Sequence, residues 1–178
     1  MRPVTQRLAA AGATPWVTVN YLQNAFTVGL AVSLSSGAVL TAAVQYTLDD
    51  PQDAHPVSLS QTLLVVTVTD KGALGTGHGL SVGDSVVVSG SSISGANGTF
   101  AVASVVDANT YTYASAVSQS ATDGFAKAAG VRVFTHATLT GLSARAAGSL
   151  SVPVQAVRFA ITAFTSGFID GTVVQGQA

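Results

Sequence analysis

The sequence has no cysteine, reading along it finds no glutamate, and charged residues make up only 8% of its 178 positions. Each absence removes a class of protein. Without cysteine there is no disulfide framework and no thiolate metal site. Seven Lys and Arg, spread from Arg2 to Arg158, cannot form the clustered basic surface that neutralises phosphates, so nucleic acid is not an expected partner. Aromatics at 7% are too few for the girdles of a transmembrane β-barrel. No run of 18 apolar residues is found, so a membrane-spanning helix is not expected either. The Arg2–Arg7 start lacks the apolar run of a signal peptide, which implies synthesis in the cytoplasm.

What the sequence does hold is Val, Thr, Ser, Ala and Gly. Hydrophobic residues reach 48%, enough to bury a core, so the chain is not disordered. Helix formers are scarce and β-branched residues abundant, which predicts an all-β fold. Alternating segments predict strands at Trp16–Tyr21, Phe26–Leu34 and Val39–Leu48, with Ser35–Ala38 as a hairpin turn. Asp49-Asp50-Pro51 ends the third strand, since turn-forming carboxylates precede a residue with no N–H.

From Thr62 the texture changes. Short strands, Leu63–Thr69, Ser85–Ser89, Gly98–Val106 and Thr110–Tyr113, are separated by Gly83-Asp84, Ser94–Gly98 and Asp107–Asn109 turns. Residues 114–130 read as a small-residue linker and 142–148 as a polar loop. Strands resume at Val131–Phe134, Val152–Phe164 and Gly171–Gln175. Met1–Thr14 reads as an arm that orders on a neighbouring subunit. The expectation is a discontinuous β-sandwich or jelly-roll-like base from 1–61 and 131–178. A small β-barrel-like module, 62–130, is inserted in it and projects outward.

The residues that carry chemistry elsewhere do not assemble here. His55, His78 and His136 lack metal-ligand spacing, and a backbone hydrogen bond is the expected work of His78. Asp49, Asp50 and Asp53 form an acidic cluster without an EF-hand pattern, which turn formation explains. There is no nucleophile elbow, and Gly75–Gly79 is not followed by the Lys-Ser/Thr of a phosphate loop. No enzyme, cofactor or metal is expected.

Two stretches resemble proteins of tailed bacteriophages. His78-Gly79-Leu80-Ser81-Val82-Gly83-Asp84, followed by Asn97-Gly98-Thr99-Phe100-Ala101-Val102 and Thr110-Tyr111-Thr112-Tyr113, resembles a β-rich module of phage structural proteins. The flanking segments resemble small head decoration (cement) proteins. These segments are Val44–Pro51, Phe134–Gly141, Val152–Phe159 and the end at Val173–Gly176. The resemblance implies a non-enzymatic virion protein on the capsid exterior, made in the bacterial host cytoplasm. Its implied partners are the major capsid protein and itself, as homodimer or homotrimer. Arg2, Arg7, Arg132, Arg145 and Arg158 are the expected subunit or capsid contacts, with Tyr111 and Tyr113 as exposed contacts of the module, toward host-surface glycan. The alternatives are a tail, head–tail or fibre-associated protein, and a carbohydrate-binding adhesion module.

Overall fold

The structure, a computed structural model, describes residues 3–22, 26–70 and 78–175. Among them there is no helix, and all strand pairings are antiparallel, in three sheets. The chain divides into two compact units. The base is Met1–Leu48 with Val133–Ala178, and the module is Asp49–Arg132.

The base holds β1 (Val4–Leu8), β2 (Gly12–Ala13), β3 (Val17–Thr18), β4 (Val28–Leu34) and β5 (Val39–Thr47). The module comprises β6 (His55–Asp70), β7 (Ser85–Ser89), β8 (Gly98–Asp107) and β9 (Thr110–Val131). After it the base resumes with β10 (Phe134–Thr135), β11 (Ala146–Leu150), β12 (Ala156–Ser166) and β13 (Ile169–Gln175).

One base sheet runs β1-β13-β4-β11; the other runs β10-β5-β12-β2, with β3 also paired to β12. Alternation puts Val28, Leu30 and Val32 of β4 on one inner face and Leu40, Ala42 and Val44 of β5 on the other. They meet Val157, Phe159 and Ile161 of β12, and Ile169 and Val173 of β13, in one apolar core. The two sheets approach so closely at Gly171 that a Cβ there would run into the Phe159 ring.

Ser35–Ala38 is not a hairpin turn. Gly37 takes the expected positive φ of 71°, but β4 and β5 belong to different sheets, so the turn is an arch from one sheet to the other. A second arch at Gly167 (φ 94°) carries β12 to β13 beside it. The two are stapled by Ser35 N–H to Phe168 O at 3.0 Å and Phe168 N–H to Ser35 Oγ at 3.1 Å. Strand alternation cannot tell an arch from a hairpin, because both reverse the chain between two half-buried strands. The N-terminal arm is likewise a strand of this same chain from Val4, seated on β13 from Val4↔Val173 to Leu8↔Ile169. The expected loop at 142–148 gives way to β11 at Ala146, which pairs with β4.

The module is a single sheet that closes on itself. The last residues of β9 pair with β7, β7 pairs with β8, and β8 returns to the first residues of β9. β6 follows β9 along both halves, with register shifts at Val57/Leu59 and Leu63/Val65. Sixteen extended residues would span about 50 Å. The curled strand instead brings its first and last side chains together, His55 Nε2 lying 3.7 Å from Asp70 Oδ2.

The segment 114–130 is therefore strand rather than linker. Its small residues suit a strongly bent strand over a tight interior. Ala126 and Ala128 are buried, and a Cβ on Gly130 would press on Leu80. The compact module also starts at Asp49 instead of near 62. Thr62 lies in mid-strand, and the break in the chain is the Asp49-Asp50-Pro51 turn.

Candidate functional site

The residues expected to make contacts fall in different environments. Arg2 lies outside the described residues. Arg7 sits on the outward face of β1 and grips Asp170 with two hydrogen bonds of 2.8 Å. Its guanidinium lies 4.0 Å over the Phe168 ring. The Arg7 hydrogen bond and charge hold the Asp170 carboxyl below its usual range. Arg145 precedes β11, is exposed and has no ion-pair partner among the described residues.

Arg158 is half-buried on β12. Its Nε donates to Gln45 Oε1 at 2.8 Å and its guanidinium stacks 4.4 Å from the Trp16 ring. Burial lowers its pKa. Trp16 is thus a half-buried cover for a cation. Its indole N–H is buried with no acceptor among the described residues.

Arg132 has an internal task. Asp49 and Arg132 are the first and last residues of the module. Asp49 Oδ2 accepts the Arg132 backbone N–H at 2.8 Å and its Nε–H at 3.0 Å. Burial pushes the Asp49 carboxyl up, and the Arg132 hydrogen bonds and charge pull it down further, for a net lowering. The pair clasps the two chain crossings into the module.

Tyr111 and Tyr113 are not exposed contacts. They are 2% and 0% exposed, pointing inward while Thr110 and Thr112 alternate with them. Tyr113 stacks on Phe100 at 4.2 Å and donates its hydroxyl to Ala96 O at 2.8 Å. The Tyr111 and His78 rings meet in a T-shaped contact, 5.0 Å between centroids. Burial raises both phenol pKa values. The reason is general: a bent strand puts its largest rings where they exclude most water.

Two of the three histidines, His78 and His136, serve the backbone, while His55 lies beside Asp70. His78 Nδ1 accepts the Leu80 N–H at 3.0 Å, which leaves Nε2–H to donate to Asp107 O at 3.0 Å. His136 accepts the Leu139 N–H at 3.2 Å in the same manner, with Nε2 3.2 Å from Ser149 O. Asp49, Asp50, Asp53, His55, His78 and Arg132 line an open cleft of about 410 Å³ in the module. Among the described residues no three His, Asp or Glu side chains are grouped to hold a metal ion.

The module's outer surface is the more distinctive feature. Val65, Thr67 and Thr69 alternate with buried Val66 and Val68, and oppose Ala114, Thr112 and Thr110 on β9. Ser104 of β8 continues the row, its hydroxyl 2.7 Å from that of Thr112. From Val65 to Thr69, across Thr110–Ala114 and at Ser104 the row holds only hydroxyl and apolar side chains; exposed Asp107, opposite Thr110, ends it. Midway along the β6–β9 pair an irregularity in both strands makes an apolar knuckle of Leu63, Leu64, Val65 and Val117, with Leu63 at 66% exposure.

Leu63 takes a left-handed φ of 57°, a conformation that a branched side chain adopts only when the surroundings impose it. Gln61 imposes it. Its side chain is buried, and its amide donates to Leu63 O at 2.8 Å and to Val117 O. Phe125, 90% exposed between Gly124 and Ala126, is the module's most exposed aromatic among the described residues. The sequence reading missed both features. The signal for the knuckle was the unbroken apolar run Leu63-Leu64-Val65-Val66, in which a strand must turn some side chains outward.

Charge is divided between the units. The base has four Arg against Asp170, net +3; the module has seven Asp against Lys71, Lys127 and Arg132, net −4. No family model matches the chain, and no curated protein matches it.

Proposed function

We propose that this chain is a structural, non-enzymatic virion protein that binds the outer surface of a tailed-bacteriophage capsid and bridges its subunits. Its partners in this reading are the major capsid protein and further copies of itself, as homodimer or homotrimer. It is made in the host cytoplasm and ends on the capsid exterior. The observation that carries the reading is the hydroxyl-rich row of Val65–Thr69, Thr110–Ala114 and Ser104, charged only at its Asp107 end, with the Leu63–Val65 knuckle at its side. Interface centres are depleted in charge, and contacts without ion pairs are little screened by salt. A surface of this kind suits many repeated contacts on a shell. The motif resemblance around His78–Asp84 and Thr110–Tyr113 adds to it.

The test is to add the purified chain to shells that lack it. Saturable binding, little changed between low and high salt, and a higher temperature of shell disruption are expected. Leu64→Asp together with Val106→Asp, both at exposed positions, weakens that binding while leaving the fold intact. Shells that take up no protein contradict the proposal.

A second reading has one observation in its favour. Phe125 is an exposed ring of the kind used in recognition, which supports a carbohydrate-binding adhesion module. Phe125→Ala then abolishes adsorption to cells or glycans. Unchanged adsorption removes that reading.

A further inference from the structure

We propose that β1 is an exchangeable arm, seated either in its own sheet or in the same seat on a second copy of this chain. Three observations lead there.

The first is position. Val4–Leu8 is an edge strand and, among the described residues, pairs with β13 alone. The contacts that hold it are made with residues far along the chain. They are the Arg7–Asp170 fork, Arg7 over Phe168, the Thr5 and Thr172 hydroxyls 3.0 Å apart, and Val4 and Leu8 on the core. A second copy offers an identical seat, so exchange replaces each of these contacts one for one.

The second is the hinge. Only Ala9–Ala11 separate β1 in one sheet from β2 in the other, and Gly12 follows at φ 131°, where a side chain would be strained. Short, constrained hinges favour the opened, exchanged form because opening relieves them. The third is Gln6. Its alternation with exposed Thr5 and Arg7 turns it inward, and its Oε1 is buried with no donor among the described residues. That unmade hydrogen bond weakens the arm's hold on either seat and keeps exchange reversible.

The inference deepens the assembly reading above by naming how copies would link. Its evidence is independent of any capsid, so a chain that exchanges arms yet binds no shell would sink the earlier reading alone.

The absence of cysteine gives a clean test. One preparation carries Thr5→Cys, another Thr172→Cys. They are mixed at high concentration and oxidised, and peptide mass spectrometry locates the disulfide. A link between positions 5 and 172 of different chains is expected. Inserting four Gly/Ser residues after Ala10 lowers its yield, since a relaxed hinge favours the arm's own sheet. A doubly substituted chain that cross-links only within itself overturns the proposal. Sedimentation of the unsubstituted chain is the independent readout. Association that grows with concentration and is lost on removing residues 1–8 supports exchange; a monomer at every concentration overturns it.

Discussion

The base and the module are built from the same small vocabulary of residues but are held together differently. In the base, two sheets share a core in which Phe159 lies against bare Gly171, so apolar interdigitation does most of the work. The module has one closed sheet whose curvature must be fixed at its irregular points. It does so with polar pins: Gln61 at the double irregularity, His78 on the Asp107 carbonyl, and Asp49 clasping Arg132. A fourth is Asp123, which accepts the N–H groups of Ser92 at 2.6 Å and Phe125 at 2.9 Å. The lesson is that a strongly curved sheet leaves backbone groups unpaired where its register shifts, and side chains must then satisfy them. The opposite net charges of the two units add that each faces its surroundings differently.

The comparison can be broken most forcefully in the base. Phe159→Ala empties the space over Gly171 and destabilises the base by about 3–5 kcal/mol, read by denaturant unfolding. A loss below about 1 kcal/mol would mean that the sheets close over the gap and the core is not the main support.

In the module the corresponding change is polar. Gln61→Ala removes the side-chain donor of the Leu63 carbonyl, leaves the Val117 carbonyl with the Ser115 hydroxyl alone, and destabilises by about 1–3 kcal/mol. Hydrogen exchange quickens at 63–65 and 115–119 first. Exchange that rises evenly over the whole module would show that Gln61 is an ordinary core residue.

Acid sharpens the contrast next. The N–H groups of Ser92 and Phe125, with the Ser92 and Ser91 hydroxyls, hold the Asp123 carboxyl at about 2. An unfolded Asp titrates near 3.9. The folded value is the lower one, so this stabilisation is complete above about pH 4 and disappears as pH falls toward 2. Asp123→Asn therefore flattens the acid limb of the module's unfolding curve and leaves the base's unchanged. An unaltered acid limb contradicts the pin.

The smallest effect is expected from Arg7→Ala on the base. That ion pair is exposed, so the loss is slight, visible at low salt and gone at high salt. A large loss would place β1 among the main supports of the base and remove its ease of exchange.

Much of this architecture is legible in the residues. The β-branched composition predicts an all-β chain, and the turn formers at Asp49–Pro51, Gly83-Asp84 and Asp107–Asn109 mark real strand ends. Ser85–Ser89 is read to the residue. What stays hidden is which strand joins which sheet. Ser35–Ala38 reverses the chain whether or not β4 pairs with β5, and only long-range pairing of β4 with β13 decides it. The second half of β9 is hidden because Ala, Ser and Gly have weak strand preference; pairing with β6 and β7 overrides it. The contact residues are the least legible part. Alternation places Tyr111 and Tyr113 on one face but does not say which face, and Arg132 could be assigned to the clasp only once Asp49 was beside it.

The claim on which the rest turns is a place on the capsid in many copies. Quantitative mass spectrometry of purified particles, with this chain counted against the major capsid protein, addresses it directly. A ratio near one copy per capsid subunit, or a sizeable fraction of one, is the predicted result. A count that fits only a tail or a single vertex, or absence from the particle, would contradict it.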